Sequence, residues 1–248
     1  MAFGIEDDVG IVSDAREGTM PGISDRTYRF LQKPFARLWR IRLLDTKSIP
    51  ARGPVVFVAN HLGSYAPIAV LAAFPRRLYP WVQHDVTERK VCPGYLRLDF
   101  VEPELRLKPP LSRTAAWLIS KPCLAVMKAL GAVPVYPGSP RLTITWERSL
   151  EVLRKEEALV IFPENKDRPS NGVVNGFDGG FIDLGSFFFK DTGRTLDFIP
   201  VAVHKEAKAI RVGQPIPYIP TQPLSFERRR IVTALQNEIT KMVLAMAA

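Results

Sequence analysis

Residues 54–63 read Pro-Val-Val-Phe-Val-Ala-Asn-His-Leu-Gly, an apolar run that ends in two polar side chains. The run is short, rich in β-branched residues and preceded by Gly53, which is typical of a strand buried on both faces of a sheet. Asn60 and His61 stand directly after this strand, and sites in α/β sheets lie at the carboxyl ends of strands. The stretch therefore predicts a buried strand with a candidate site at its end.

Similar apolar runs recur along the chain and alternate with segments of helical period. We predict strands over 78–83, 133–136, 158–162, 198–203 and 209–213, and helices over 64–74, 112–130, 143–155, 177–190 and 224–247. Pro80 lacks an N–H and favours an edge position for the strand 78–83, whereas residues 91–111 fit neither pattern. This alternation predicts an α/β fold: a single domain with a mixed, largely parallel central sheet flanked by helices.

Charge is distributed unevenly over the start of this 248-residue chain, whose net charge is +9. Residues 1–25 contain six acidic side chains and one basic one, and we expect a flexible acidic tail there, followed by a domain over 26–248. Residues 26–52 contain eight basic side chains and one acidic one, and a basic amphipathic helix is predicted over 28–44. Such a block can bind phosphates of nucleic acid or of an anionic lipid surface, or it can pack on the domain.

Neither the cysteines nor the hydropathy indicate a secreted or membrane-spanning protein. Cys92 and Cys123 form no close-spaced metal or redox motif, so we expect free thiols in a reducing compartment. The longest apolar stretch, 114–136, is interrupted by Lys121, Pro122 and Lys128, so no bilayer-crossing helix is expected. The first residues show no basic start followed by an apolar run, which argues against a secretory signal. We expect a cytoplasmic protein that lies on the membrane surface where a membrane is involved.

Two strand ends carry the side chains best suited to chemistry. His61 follows the first strand, and an imidazole can act as a general base near neutral pH. Glu164 follows the strand 158–162 and opens the charged loop Glu-Asn-Lys-Asp-Arg over 164–168, which could bind a phosphate or a hydroxyl group. Each feature alone is also common without any function, as a hydrogen-bonded histidine or as a solvated loop.

Together the two features resemble the glycerolipid acyltransferase superfamily, which includes the lysophosphatidic acid acyltransferases. That family has an Asn-His-x-x-x-x-Asp motif after a strand and a later Phe-Pro-Glu-Gly-Thr-Arg-Ser motif. Asn60-His61 and Phe162-Pro163-Glu164 stand at the corresponding places, and the segments 130–135 and 198–203 are similar to two further blocks of the family. The resemblance covers residues 40–217, which is most of the chain.

The resemblance implies transfer of a fatty acyl group from acyl-CoA or acyl-ACP to the hydroxyl of a lysophospholipid or related glycerol-phosphate acceptor. It implies catalytic roles for His61, as the general base, and for Glu164. We assign substrate binding to nearby polar and basic side chains, namely Asn60, Ser64, Arg141, Lys166 and Arg168. No tightly bound cofactor and no metal is expected. An anionic membrane surface is the expected partner besides the acyl donor and the acceptor.

The sequence departs from the family's pattern at its charged positions. The motif aspartate, which orients the imidazole as in catalytic triads, corresponds to Ala66, and the arginine that ends the second block is missing, with Arg141 lying nearby. We name Asp167 and Tyr65 as side chains that could orient His61 instead. Two alternatives stay open. One is a catalytically silent lipid- or acyl-carrier-binding relative; the other, based on the basic block alone, is a nucleic-acid-binding protein.

Overall fold

The computed structural model describes residues 23–24, 26–30, 32 and 40–247. Within these residues one mixed sheet forms the centre of the molecule. Its strands are β1 (Arg42–Leu44), β2 (Val55–Ala59), β3 (Leu78–Gln83), β4 (Val133–Val135), β5 (Ala158–Ile161), β6 (Asp197–His204), β7 (Ala209–Val212) and β8 (Ile216–Pro217). The predicted α/β fold with a largely parallel central sheet is confirmed.

The order across the sheet is β1-β7-β6-β2-β5-β3-β4, and β8 pairs with the start of β6. The neighbouring strands β6, β2, β5, β3 and β4 run parallel, whereas β7 is antiparallel to β6 and β1 is parallel to β7. In the register of β2, Val58 is aligned with Ile161 of β5 and with Pro200 of β6. The residues that follow β2 and β5 therefore emerge side by side at the carboxyl edge of the sheet.

Helices cover both faces of the sheet. They are α1 (Tyr65–Ala73), α2 (Cys92–Leu96), α3 (Leu111–Leu130), α4 (Leu142–Arg154), α5 (Asp183–Thr192) and α6 (Leu224–Ala247). In β2, Val55 and Phe57 share a core cluster with residues of α1, while Val56 and Val58 share the other cluster with residues of α4, α5 and α6. Burial on both faces explains why this strand is a continuous apolar run rather than an alternating one.

The basic helix predicted over 28–44 is wrong at its carboxyl end. Residues 26–30 are helical, residues 33–39 lie outside the described part, and Arg42–Leu44 form β1 rather than a last helical turn. Arg40 has a left-handed backbone conformation (φ 48°), which an α-helix cannot continue through. The chain then pairs with β7 in the sheet, and this tertiary contact overrides the helical pattern of the sequence.

The tail predicted over 1–25 lies outside the described residues except for two positions. The N–H of Ile23 donates to the carbonyl of Ala129 at the end of α3, and the carbonyl of Ile23 accepts from the Arg77 guanidinium. The carbonyl of Ser24 accepts from the N–H of Tyr28 in the helical segment that follows. These contacts join the chain to the domain at residue 23.

Two further predictions are wrong in detail. β3 lies inside the sheet rather than at its edge, between β5 and β4. β4 pairs only with Trp81–Gln83, so Pro80 has a paired strand on one side alone. The missing N–H of Pro80 is therefore tolerated. The helix predicted over 177–190 starts later, as a 3₁₀ turn that leads into α5. Phe177 is not available to the helix, because it is held in a β-bridge with Glu164.

Candidate active site

Asn60 ties the end of β2 to β6. Its side chain is buried, Nδ2 donates to the carbonyl of Val203 at 3.0 Å, and the N–H of Val203 donates to Oδ1 at 2.7 Å. Both ends of the amide are thus used within the protein. The structure gives Asn60 this structural role in place of the predicted contact with substrate, and the role matters because His61 is the next residue.

His61 and Glu164 meet at the carboxyl edge of the sheet through the main chain. The N–H of His61 donates to Oε1 of Glu164 at 2.6 Å, which joins the residue after β2 to the loop after β5. The second oxygen, Oε2, accepts from the N–H of Asn175 at 2.9 Å and from its Nδ2 at 3.1 Å. Hydrogen bonds to a charged acceptor are among the stronger ones in proteins. The carboxylate therefore holds two loops in place and does not itself bind the imidazole.

The His61 imidazole packs against Phe162, with the ring centroids 5.8 Å apart and the planes nearly perpendicular. Desolvation lowers the pKa of His61 below its ordinary range; Glu164 and Asp99 act in the opposite direction, and Lys166 lowers the pKa further. In the part of the chain that the structure describes, no side chain is hydrogen-bonded to the imidazole. A neutral imidazole can accept a proton, so the lowered pKa is compatible with a general base at this position.

The charged loop after β5 is a closed turn that uses several of its own polar groups. Oδ1 of Asn165 accepts the N–H of Asp167 at 2.9 Å, and Nε of Arg168 donates to Asp178 at 2.6 Å. Lys166 is exposed, forms no ion pair with a described residue, and acts electrostatically on the imidazole. Lys166 is thus available to bind a phosphate, Arg168 is shared with Asp178, and Asp167 has no described contact with the imidazole.

The start of α1 brings no carboxylate to the imidazole. Ser64 precedes the helix and is exposed. The ring of Tyr65 lies 5.8 Å from Nζ of Lys205 in the turn after β6, and burial together with Glu206 raises its pKa. Ala66, at the place of the family's aspartate, is fully buried in the apolar cluster on that face of the sheet. The described ring contact of Tyr65 is thus with Lys205, whereas the sequence suggested that Tyr65 orients His61.

Arg141 belongs to a separate cluster. Its Nη1 pairs with Glu88 at 3.1 Å, Nη2 donates to the hydroxyl of Tyr136 at 3.0 Å, and the guanidinium lies 4.1 Å from the centre of the Tyr136 ring. Tyr136 follows β4, which is the third strand away from β2, about 14 Å at about 4.8 Å per strand. The structure therefore does not bring Arg141 together with His61 and Glu164.

A carboxylate that sequence reasoning missed, Asp99, comes from the unassigned segment 91–111. After α2 the chain continues as a π-helical turn over Arg97–Val101, and such turns are frequent at functional sites. The hydroxyl of Tyr95 donates to Oδ2 of Asp99 at 3.2 Å, and the charge of Asp99 raises the pKa of His61. No local pattern could have indicated this residue, because its relation to His61 is purely tertiary.

The residues after the π-helical turn pack between the His61 loop and α3. A β-carbon at Gly63 would lie 3.6 Å from Oε1 of Glu104. Glu102 accepts a hydrogen bond of 2.9 Å from Oγ of Ser112, which is buried in the first turn of α3. The segment thus forms a physical connection between α3 and the candidate site.

No group of three or more His, Cys, Asp or Glu side chains in the described ranges could hold a metal ion. Among the helices of those ranges, none combines the length and the apolar composition needed to cross a bilayer. Cavities of about 290 Å³, lined by Lys47 and Gln214, and of about 440 Å³, lined by Trp146 and Phe187, lie away from the site. His61 itself is exposed, so the candidate site is open to solvent.

The fold has a counterpart among solved structures. No model of a known protein family matches the sequence, and neither does any curated protein. The structure is similar to the crystal structure of the 1-acyl-sn-glycerophosphate (LPA) acyltransferase PlsC from Thermotoga maritima, with a TM-score of 0.51 and 16% sequence identity over 91% of this chain and 84% of that chain. At this identity the similarity concerns the fold. The chain therefore has the α/β fold of a glycerolipid acyltransferase, as the motifs of its sequence predicted.

Proposed function

We propose that the protein is an acyltransferase that moves a fatty acyl group from acyl-CoA or acyl-ACP to the hydroxyl of a lysophospholipid or related glycerol-phosphate acceptor. The observation that carries this proposal is the 2.6 Å hydrogen bond from the N–H of His61 to Glu164. It joins two strand ends at the carboxyl edge of an acyltransferase-like sheet and presents an exposed imidazole whose pKa is lowered. This arrangement suits a base that activates a hydroxyl group.

In the proposed reaction His61 takes the proton of the acceptor hydroxyl while the oxygen attacks the thioester carbonyl. The tetrahedral intermediate collapses, the carbon–sulfur bond breaks, and the imidazolium gives its proton to the departing thiolate. Glu164 acts through the main chain of His61, so we assign it as a positioning residue. Its hydrogen bonds to Asn175 fix the carboxylate, and the carboxylate in turn fixes the residue that carries the base.

The acceptor's phosphate is proposed to bind at the loop after β5. Lys166 is the exposed cation there without a described ion pair, and Arg168 can share its guanidinium between Asp178 and a phosphate, because Nε alone is engaged. Ser64 supplies an exposed hydroxyl at the start of α1. Arg141 is left out of this proposal, because its guanidinium is engaged with Glu88 and Tyr136.

Orientation of the imidazole is the step for which the family's own residue is absent. Ala66 cannot hold a ring, whereas the carboxylate of Asp99 acts electrostatically on His61. A carboxylate beside the imidazole favours the cation that forms when the base accepts its proton. We therefore include Asp99 in the proposal as a charge that favours the imidazolium, whereas no described side chain replaces the hydrogen bond of the missing aspartate.

A catalytically silent relative that binds lipid or acyl carrier is the second candidate function. It is favoured by Ala66 and by the absence, among the described residues, of any side chain hydrogen-bonded to the His61 imidazole. Loss of the orienting aspartate lowers the rate about 10⁴-fold in the serine-protease case. For either function the lipid substrate implies a location at the cytoplasmic surface of a membrane, which is part of the proposal.

The test is acyl transfer by the purified protein with labelled acyl-CoA or acyl-ACP and a panel of lysophospholipids and glycerol 3-phosphate. We expect product with at least one pair and a loss of about 10²–10⁴-fold in His61→Ala, the range for removal of a general base. His204→Ala is the matched control, since His204 also lies at a strand end but accepts a hydrogen bond from Ala207. Transfer that survives in His61→Ala would refute the assigned base, and no transfer with any pair would favour the silent relative.

A further inference from the structure

The most buried side chains of helix α3 are small. Its most buried positions are Ser112, Ala116 and Ser120, which are spaced four residues apart and therefore share one side of the helix. The serine hydroxyls find partners inside the protein, Ser112 at Glu102 and Ser120 at the carbonyl of Trp117. The same side also carries the partly buried Ile119 and Met127, so large apolar side chains lie on both sides of this helix.

The opposite side of α3 exposes large apolar side chains. Helical geometry places Leu111 and Leu118 in one line along the axis, with Trp117 about 100° to one side and Val126 about 80° to the other, so the four span about half of the helix circumference. Their exposed fractions are 66%, 55%, 52% and 50%, respectively. Large apolar side chains exposed along a helix in this number indicate a binding surface. We call these four residues the outer face of α3.

The charges that α3 itself carries are all positive. α3 carries Arg113, Lys121 and Lys128 and no acidic residue. No described carboxylate pairs with these three cations. Nζ of Lys121 lies 3.8 Å from the centre of the Trp117 ring, so the ammonium itself lies over the indole in a cation–π contact. The outer face and its neighbouring cations, which have no described carboxylate partner, therefore match a binding partner that has an apolar interior and an anionic surface.

The outer face is physically connected to the candidate site. The segment before α3 adds two more exposed apolar side chains, Leu98 and Leu105. The same segment contacts the His61 loop through Glu104, next to Gly63, and contacts α3 through the hydrogen bond between Glu102 and Ser112. A layer that binds the outer face would thus be joined to the base by a single short segment of chain.

We propose that the outer face of α3 docks the protein on an anionic phospholipid bilayer. The inference rests on the proposed function, because a lysolipid acceptor resides in such a layer. Helices with an apolar face, flanking lysines and tryptophan at the boundary lie in the headgroup region, and anionic lipids attract each nearby cation. The docking surface therefore differs from the segment 28–44 that the sequence suggested.

The test is sedimentation of the full chain with vesicles of phosphatidylcholine, with and without phosphatidylglycerol. Trp117→Ser with Leu118→Ser should weaken binding about tenfold or more, while Phe226→Ser with Leu244→Ser, exposed apolar positions on α6, should leave it unchanged.

A second comparison in the same sedimentation test uses two double variants that change the net charge equally. Lys121→Glu with Lys128→Glu should remove the preference for phosphatidylglycerol, whereas Lys190→Glu with Lys241→Glu, exposed lysines of α5 and α6, should keep it. Equal losses in both pairs, or vesicle binding untouched by every α3 variant, would overturn the proposal. A dimer in solution that the Trp117 and Leu118 variants dissociate would overturn it in favour of an interface between two copies.

The same variants separate this proposal from the proposed function. With acyl-CoA and a short-chain acceptor that remains dissolved, the α3 variants should transfer acyl groups at the rate of the unmodified protein. Vesicle binding through α3 without any acyl transfer would refute the proposed function and leave the docking surface in place. Acyl transfer together with vesicle binding that is unchanged in the α3 variants would refute the docking surface and leave the proposed function in place.

Discussion

Replacing Glu164 by glutamine probes the contact on which the candidate site is built. The carboxylate accepts three hydrogen bonds, from the N–H of His61 and from two donors of Asn175. Glutamine keeps the shape but has one acceptor oxygen, and its NH₂ group would face an N–H donor. The variant therefore loses either the pairing with His61 or the pairing with Asn175, together with the negative charge.

The expected loss of stability follows from these contacts. A hydrogen bond to a charged group contributes about 1.5–3 kcal/mol, and a partly buried donor left unpaired costs about 1–3 kcal/mol. We expect Glu164→Gln to lower the free energy of unfolding by about 2–3 kcal/mol. For a domain of this size each kcal/mol corresponds to about 2–4 °C in Tm, so Tm should fall by about 4–12 °C.

The assay is urea unfolding followed by fluorescence, together with a thermal melt. Asp178→Asn is the matched control: it lies in the same loop but pairs with Arg168 at an exposed position, where an ion pair contributes at most about 1 kcal/mol. The reasoning is refuted if Glu164→Gln melts within about one degree of the unmodified protein, or if Asp178→Asn costs as much. Either result would mean that the carboxylate does not hold the two strand ends together.

Three further predictions concern single groups. The rate of acyl transfer should fall as the pH drops through the pKa of His61, which is lowered from its ordinary value. Because the charge of Asp99 raises this pKa, Asp99→Asn should move the fall to still lower pH. An NMR titration of the imidazole that is unchanged in Asp99→Asn would exclude this effect of Asp99. Asn60→Ala should lower the free energy of unfolding by about 2–4 kcal/mol, since it leaves both main-chain groups of Val203 unpaired; urea unfolding checks this, and a loss below about 0.5 kcal/mol contradicts it. Burial raises the pKa of Cys92 to about 12, so a thiol reagent should label it at pH 8 only after unfolding, and rapid labelling of the folded protein would disprove this.

The sequence was sufficient for features that depend on local pattern. The β-branched run before Asn60 predicts β2 because only a strand buried on both faces accommodates such a run. The strand ends carrying His61 and Glu164 follow from the parallel arrangement, since the carboxyl ends of neighbouring parallel strands meet at one edge. What these residues do with their side chains was not predictable. The contact between them runs through the main chain of His61, which no residue type reveals.

Features that depend on tertiary contacts could not be predicted from the sequence. Arg42–Leu44 continue a helical pattern, and only pairing with β7 makes them a strand. Pro80 suggests an edge strand, yet the short length of β4 makes an interior position possible. Asp99 lies in a proline-rich segment without periodicity, and its relation to the site depends on this segment packing on the His61 loop, which it contacts through Glu104. In each case the deciding partner is remote in the chain.

The central claim is that His61 is the base of an acyl transfer, and one measurement tests it most directly. The rate of phosphatidate formation from labelled acyl-CoA and lysophosphatidate is compared for the unmodified protein, for His61→Ala, and for His61→Ala with added imidazole. We predict measurable transfer, a loss of about 10²–10⁴-fold in the variant, and partial recovery when imidazole replaces the missing side chain. Transfer that persists in His61→Ala, or a loss that added imidazole leaves unchanged while the variant remains folded, would contradict the assignment of His61 as the base.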